Sequence, residues 1–377
     1  MAKTKKRQTN QQVDFPSRFL LKKFINLIFL YLATKSRSFL NFVEPSPIEA
    51  SIKVTERCNS RCITCNVWKS NPKNELTAEE IENIFYQLKE IGIKIVGFTG
   101  GEPLLRNDIG ELIRKAKAII GAKVYIITNG LLLEKRAKTL VEQGIDYVSV
   151  SIDGLEKTDE AVRGIPGCYN KAIKGIQALR NLDNNVKIHV GTTLVKPNLT
   201  DIPQLIEICK KLKVTWAFNL LDTKPYFFQG IDTSKLLIND ERLVDEIINY
   251  LYKINKERPE MAMLGMNSTS LEFARNYLKN KKPHFYCMIG YLRVYIDSNS
   301  NIYSGCWALP PLSNLRERNL KEIIRSQEYK KRVKTMFSLN CPRCTCGYII
   351  SGLINHLPST TIHFLKNLKK YKETFIN

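Results

Sequence analysis

Thr55-Glu56-Arg57-Cys58-Asn59-Ser60-Arg61-Cys62-Ile63-Thr64-Cys65-Asn66-Val67-Trp68 places three cysteines in a Cys-x3-Cys-x2-Cys array directly behind an extended segment. Three thiolates at this spacing suit three irons of a four-iron cube, and the fourth iron is left without a protein ligand. A fully ligated [4Fe-4S] cluster has four protein thiolates and mainly moves electrons. A cluster with one open iron can bind and reduce something. The spacing alone also fits a zinc site or three unrelated thiols. Structural zinc wants a fourth Cys or His close by, and the nearest later candidate is Cys168.

Working outward, the chain falls into a βα rhythm. Strands are expected over residues 48–54, 95–99, 124–128, 147–152, 187–194 and 215–220. Helices are expected from Thr77, from Asp108, and over 134–143, 170–182 and 201–212. The first opens with a capping box, Thr77 and Glu80, and carries the apolar stripe Ile81, Ile84, Phe85, Leu88 and Ile91. Repeated βα units with short loops mean parallel strands covered by helices. Six units rather than eight predict a partial (β/α)6 TIM-like barrel, α/β in class and open on one side; a closed eight-strand barrel is the alternative. After Leu221 the rhythm is lost. Residues 222–284 read as a connector with helices over 240–256 and 268–280. Residues 285–347 read as a small second domain of α+β character. It holds a hairpin over 292–296 and 301–304, helices over 320–326 and 328–336, and then Cys341-Pro342-Arg343-Cys344-Thr345-Cys346. There is no internal repeat beyond the βα unit and no Gly-rich nucleotide loop of the GxGxxG or Walker type.

Active-site residues of such barrels collect at the C-terminal ends of the strands, where every unusual loop of this chain falls. Gly100-Gly101-Glu102-Pro103 follows strand two. Its glycines let backbone approach a ligand closely, and Glu102 can accept a hydrogen bond from an amino group. A plain strand-to-helix turn is the bland reading. Ser151-Ile152-Asp153-Gly154 ends strand four, with Arg163-Gly164 after a short loop. A guanidinium can hold a carboxylate through two hydrogen bonds; an ion pair with Asp159 or Glu160 is the bland reading. Thr128-Asn129-Gly130 and Thr192-Thr193-Leu194-Val195 end strands three and five. His189, inside strand five, reads as structural.

These cysteines and strand-end motifs resemble the radical S-adenosylmethionine (SAM) enzymes over residues 48–220. One departure is Thr64, where many members carry an aromatic residue before the third cysteine. The resemblance implies that Cys58, Cys62 and Cys65 ligate a [4Fe-4S] cluster and that SAM fills its open corner. Gly100, Gly101 and Glu102 would take the methionyl amine, Ser151 and Arg163 the carboxylate, and Asp153 would lie near the ribose. One-electron cleavage of SAM would give a 5′-deoxyadenosyl radical that abstracts hydrogen from a substrate the sequence does not name: a peptide, a small metabolite or a lipid-linked precursor. An electron donor such as flavodoxin or ferredoxin is implied as partner. Residues 285–347 resemble the shortened "twitch" form of the SPASM domain. By that resemblance Cys287, Cys306, Cys341 and Cys344 would ligate an auxiliary [4Fe-4S] cluster, with Cys346 a replacement for Cys344 or spare. Zinc or free thiols remain open for this second set.

The net charge of +22 over 377 residues fits nucleic acid, anionic lipid, an acidic substrate, or simply a solvated lysine-rich surface. A non-catalytic zinc- or nucleic-acid-binding protein would explain the charge and the thiols but not the strand-end motifs, and no specific nucleic-acid motif is present. Ten cysteines in a chain this long point to metal ligands in a reducing, cytoplasmic setting rather than to a disulfide scaffold. Residues 1–47 form a basic tail and amphipathic helix. Their apolar run over 24–33 is too short to span a bilayer. The basic C-terminal tail, 348–377, echoes the pattern, so the termini read as a peripheral membrane contact or as a helix packed under the barrel.

Overall fold

The computed structural model describes residues 18–222, 225, 228, 230–257, 267–281, 285–342 and 345. Cys344, Cys346 and the C-terminal tail lie outside the described residues, as do residues 1–17. The chain divides into two compact units, residues 1–44 and 45–377.

In the first unit, α1 (Arg18–Lys35) is followed by a short 3-10 turn over Arg37–Phe42. The Asn26 side chain bonds both the carbonyl and the amide of Glu44, at 2.6 and 2.9 Å, and Phe29 stacks on Phe42. No helix among the described residues is long and apolar enough to cross a membrane.

The second unit carries β1 (Glu49–Thr55), α2 (Ala78–Glu90), β2 (Ile95–Gly100), α3 (Ile109–Ile120), β3 (Lys123–Thr128), α4 (Leu133–Glu142), β4 (Tyr147–Ser151), α5 (Glu156–Arg163), α6 (Cys168–Leu182), β5 (Lys187–Leu194), α7 (Ile202–Lys211) and β6 (Thr215–Leu220). The helices α8 (Glu241–Glu257) and α9 (Ser268–Leu278) follow. Then come α10 (Ile289–Leu292), β7 (Arg293–Ile296), β8 (Asn301–Tyr303), β9 (Ser313–Asn314), α11 (Leu320–Arg325) and α12 (Gln327–Phe337). The strands β1 to β6 pair in parallel with their sequence neighbours, giving the partial barrel expected from the βα rhythm. Thr77 and Glu80 form both bonds of the capping box.

Two features depart from the sequence expectation. The first is α5, where a short loop was expected. Its sequence, EKTDEAVR, has one buried apolar side chain, Val162, so there is no stripe to read. The second is the hairpin. β7 pairs in parallel with β1, so among the described residues the sheet runs β6-β5-β4-β3-β2-β1-β7-β8-β9 as one ribbon of nine strands. The second cysteine region is therefore hydrogen-bonded to the same strand that launches the first.

Alternate residues of each strand face opposite sides. Ala50, Ile52, Val54, Val96, Phe98, Val124, Ile126, Val148 and Val150 are fully buried. The opposite side carries a polar layer. Arg293 donates to Glu49 at 2.6 Å, the Tyr125 hydroxyl donates to Glu49 at 2.7 Å, and Arg293 also donates to Tyr295. Gly97 leaves room for this layer, since a Cβ there would overlap the Tyr125 ring. Lys53 stands four residues beyond Glu49 along β1, toward the strand's C-terminal end.

Candidate active site

The loop after β1 is held from three directions. Backbone from the next strand end lies along it: Gly101 N donates to Thr55 O and Glu102 N to Arg57 O, both at 2.8 Å. Gly100 has φ +148°, and a Cβ there would overlap the Thr55 carbonyl oxygen, so glycine is what permits this approach. At the end of β3, the Asn129 side chain donates to Asn59 at 2.8 Å and reaches Cys58 Sγ at 3.9 Å. From α5, the Arg163 carbonyl accepts from Arg61 N at 3.0 Å and Ser60 Oγ at 3.1 Å, and the Val162 carbonyl accepts from Ile63 N. Loops following four consecutive strands thus meet at the cysteines.

Cys58, Cys62 and Cys65 are all free thiols. Burial pushes the Cys58 thiol up to about 11, with the neighbouring Cys62, Glu102 and Cys65 adding to the effect. Burial, then Cys62, raises Cys65 as well. The sulfurs have protein donors: Ser60 N to Cys58 at 3.5 Å and Val67 N to Cys65 at 3.4 Å. Among the described residues no three His, Cys, Asp or Glu side chains converge to hold a single metal ion. Three mutually interacting thiols on one loop, with amide donors on two sulfurs, fit a polynuclear iron-sulfur group, whose properties depend on such hydrogen bonds.

The other expected site residues have firm partners. Glu102 is fully buried. Its Oε1 accepts from Leu104 N and Thr128 Oγ1, and its Oε2 from Asn129 N, at 2.7–3.0 Å. Burial raises its pKa while these donors oppose the rise. A carboxylate has about four acceptor sites, so Glu102 ties the ends of β2 and β3 together and keeps capacity for one more donor. Arg163 pairs not with Asp159 or Glu160 but with Asp153, NH1 to Oδ2 at 2.9 Å, with side chains 12% and 2% exposed. Burial disfavours the guanidinium, but Cys62, Asp153 and Asp159 outweigh it and hold Arg163 protonated. Asp153 also accepts from Thr193 N through Oδ1, and its amide donates to Asp159. Burial and then the Asp153 charge push Asp159 up to about 6, and the Cys168 thiol donates to Asp159 at 3.2 Å. Ser151, half-buried, sits in register with Gly191 on β5. His189 is pushed down to about 4 by burial.

Of the second cysteine set, Cys287 and Cys306 are buried in one cluster with Ile289, Tyr295, Tyr303, Trp307 and Met336. Cys341 follows α12 and is half-buried. Thr345 donates its amide to Asp222, two residues beyond β6, at 2.7 Å.

Sequence reasoning passed over Asn129 as a neighbour of Cys58, and it named Asp159 only as an ion-pair partner for Arg163, not as the acceptor of the Asp153 amide and the Cys168 thiol. It also passed over Lys53, which is 4% exposed on β1 with its ammonium 5.0 Å from the Trp307 ring centroid. A lysine inside a strand whose two faces are both covered is a signal in its own right, because charged residues are almost never fully buried without compensation.

Comparison with known proteins agrees with this geometry. Residues 52–209 match the Radical SAM superfamily. An AdoMet-dependent heme synthase of Oleidesulfovibrio alaskensis is 30% identical over 325 residues, covering 80% of each chain. The Fe-coproporphyrin III synthase of Methanosarcina barkeri is 33% identical over 164 residues; that match spans 43% of this chain and only 40% of the relative. In fold, the chain is similar to Streptococcus suis SuiB bound to its precursor peptide SuiA, with a TM-score of 0.64 at 18% identity, covering 88% of this chain and 75% of that one. With a relative of 30% identity aligned over four-fifths of both chains, the protein belongs to the radical SAM superfamily, whose members are enzymes that use a [4Fe-4S] cluster and SAM.

Proposed function

We propose that Cys58, Cys62 and Cys65 hold the SAM-cleaving [4Fe-4S] cluster and that the second cysteine set, Cys287, Cys306, Cys341 and Cys344 or Cys346, holds an auxiliary one. The supporting observation is the convergence of the segments after β2, β3 and β4 on the first cysteine loop. When bound, the cluster and SAM supply one-electron cleavage of a carbon–sulfur bond and a 5′-deoxyadenosyl radical for hydrogen abstraction from substrate. The chain's own part is placement. Amide donors from Ser60 and Val67 steady two of the sulfurs. Glu102 keeps an acceptor site for the methionyl ammonium. Arg163 spends one of its five N–H donors on Asp153, leaving others for the methionine carboxylate beside Ser151. Burial of Glu102, Asp153 and Cys62 keeps water from the reacting region, where a carbon radical needs a dry site.

The test is anaerobic reconstitution followed by reduction with dithionite in the presence of SAM. The wild-type chain is expected to be brown, to hold about eight irons if both clusters form, and to release 5′-deoxyadenosine. The Cys58→Ala/Cys62→Ala/Cys65→Ala variant should release none. Continued release by that variant would remove the assignment.

A second proposal concerns the first unit. Ile25, Ile28 and Phe42 are 42%, 39% and 65% exposed, and Ile25 and Ile28 share a helix face. We infer a peripheral contact with an anionic membrane through this surface. The full-length chain should sediment with phosphatidylserine liposomes and a chain lacking residues 1–44 should not. Equal behaviour of the two chains would end the idea.

A further inference from the structure

Residues 57–73, the first cysteine loop and its continuation, carry Arg57, Arg61, Lys69 and Lys73 and no Asp or Glu. Burial alternates along the loop. Ser60, Cys62 and Thr64 are buried, while Arg61 and Ile63 are exposed, Ile63 at 45%. The backbone that turns a thiol inward therefore turns a guanidinium and an isoleucine outward. Trp68 fixes two of the cations beside them. Its indole N–H donates to the Cys62 carbonyl at 3.1 Å, and the Arg61 guanidinium and the Lys69 ammonium each lie 5.2 Å from its ring centroid. An apolar spot flanked by cations thus lies on the outer surface of the loop, one residue from Cys62.

The acids that border this run are engaged elsewhere. Glu56 is half-buried, and its charge acts on Lys53 and Tyr303. Glu75 accepts from the Thr55 hydroxyl and the Glu56 amide and pairs with Arg57 at 3.6 Å. Glu80 closes the capping box of α2 and pairs with Arg316 at 2.6 Å. Among the described residues Arg61, Lys69 and Lys73 pair with no carboxylate. The outer face of the loop is therefore net positive, and a field of one sign steers partners of the other.

We propose that this outward face, formed by Arg61, Ile63, Lys69 and Lys73, docks an acidic one-electron carrier protein. The assignment rests on Cys58, Cys62 and Cys65 holding the SAM-cleaving cluster. Each reductive cleavage of SAM takes one electron, and in the first turnover it comes from outside the chain. The carrier gives up that electron and the cluster accepts it; no bond is made or broken at the surface. Electron transfer weakens steeply with distance, so the carrier gains by docking where only the loop itself separates it from the thiols. Redox encounters use small interfaces, which suits a face of four side chains. A merely solvated basic face has no use for an isoleucine at its centre. Nucleic acid would gain from the cations but has no electron to deliver.

The experiment uses the anaerobically reconstituted full-length chain and an acidic flavodoxin as probe, with binding followed by isothermal titration calorimetry. Binding should weaken as salt rises from about 50 to about 300 mM, since the contacts are exposed charges. Lys69→Glu/Lys73→Glu should weaken it about tenfold, through two lost surface pairs and added repulsion. Lys211→Glu/Lys213→Glu makes the same change in net charge at the C-terminal end of α7, which leads into the start of β6 and so lies at the opposite end of the strands from the cysteine loop. That variant should stay within about twofold of the wild-type chain. Equal weakening by the two variants would reduce the effect to net charge and overturn the proposal, as would no binding by the wild-type chain. A short DNA duplex that loses affinity through Lys69 and Lys73, while flavodoxin does not, would assign the face to nucleic acid and equally overturn it. Release of 5′-deoxyadenosine is the second readout. Lys69→Glu/Lys73→Glu should slow flavodoxin-driven release about tenfold and leave dithionite-driven release unchanged, because a small reductant needs no docking face. Equal slowing with both reductants would mark the lysines as structural and overturn the proposal. A wild-type chain that binds flavodoxin through Lys69 and Lys73 but releases no 5′-deoxyadenosine with dithionite would remove the function reading and leave the docking face standing. Release with dithionite and binding indifferent to the two lysines would remove the docking face alone.

Discussion

Arg163 and Asp153 show how much a single contact changes the meaning of two residues. Each reads from the sequence as a separate ligand contact. In the fold they are partners at 2.9 Å, nearly withdrawn from water, and Asp153 also holds β5 through Thr193. Removing one member of a buried pair leaves the other charged and alone, at a cost of about 3–5 kcal/mol. Arg163→Met should therefore lower the melting temperature by roughly 5–10 °C and abolish SAM binding in dialysis. Arg163→Met/Asp153→Leu should recover part of the stability and none of the SAM affinity. His189 offers a test in pH. Its folded pKa, about 4, lies below the ordinary 6.5, so the unfolded chain takes up the proton first. Stability from the neutral ring is complete above about pH 6.5 and is lost as pH falls toward 4. The melting temperature of His189→Gln should consequently fall less over that window than that of the wild-type chain; parallel curves would contradict the assignment.

At the scale of elements, the site depends on backbone meeting backbone. Gly100 and Gly121 both have positive φ, +148° and +69°, but only Gly100 has a carbonyl where a Cβ would go; at Gly121 nothing lies within 4 Å. Gly121→Ala should cost only the left-handed penalty, about 1–2 kcal/mol, with iron content per chain unchanged. Gly100→Ala should push the loop after β2 away from Thr55 and reduce the iron retained after reconstitution. The six βα units and their strand ends were legible because apolar periodicity and strand-end glycines are local signals. Helix α5 was not, since with Val162 as its one buried apolar residue it is held by Arg61, Ser60 and Ile63 from a distant loop. The roles of Glu102 and Asn129 as ties between strand ends were equally hidden, for a hydrogen bond across 27 residues leaves no pattern in sequence.

At the scale of the whole molecule, the pairing of β7 with β1 decides what can stand alone. The hairpin around Asp297 was visible from its turn residues, but a parallel ladder from Glu49 to Arg293 was not, because parallel neighbours need share no local motif. A chain of residues 45–284 would end with β1 as a bare edge, and unpaired edges invite association. Such a chain should be recovered as aggregate or as a soluble oligomer by size-exclusion chromatography, whereas residues 45–377 should run as a folded species. A soluble monomer of residues 45–284 would show the hairpin to be dispensable. The ribbon also has a bearing on how such a chain can diversify. Residues 222–284 leave from β6, at one margin of the sheet, and return at β7 beside β1, so their length does not enter the separation between the two cysteine sets. Insertions and deletions there could remodel the room offered to a substrate while the span between the two sets of thiols stayed constant, as a room can be refitted without moving its foundations.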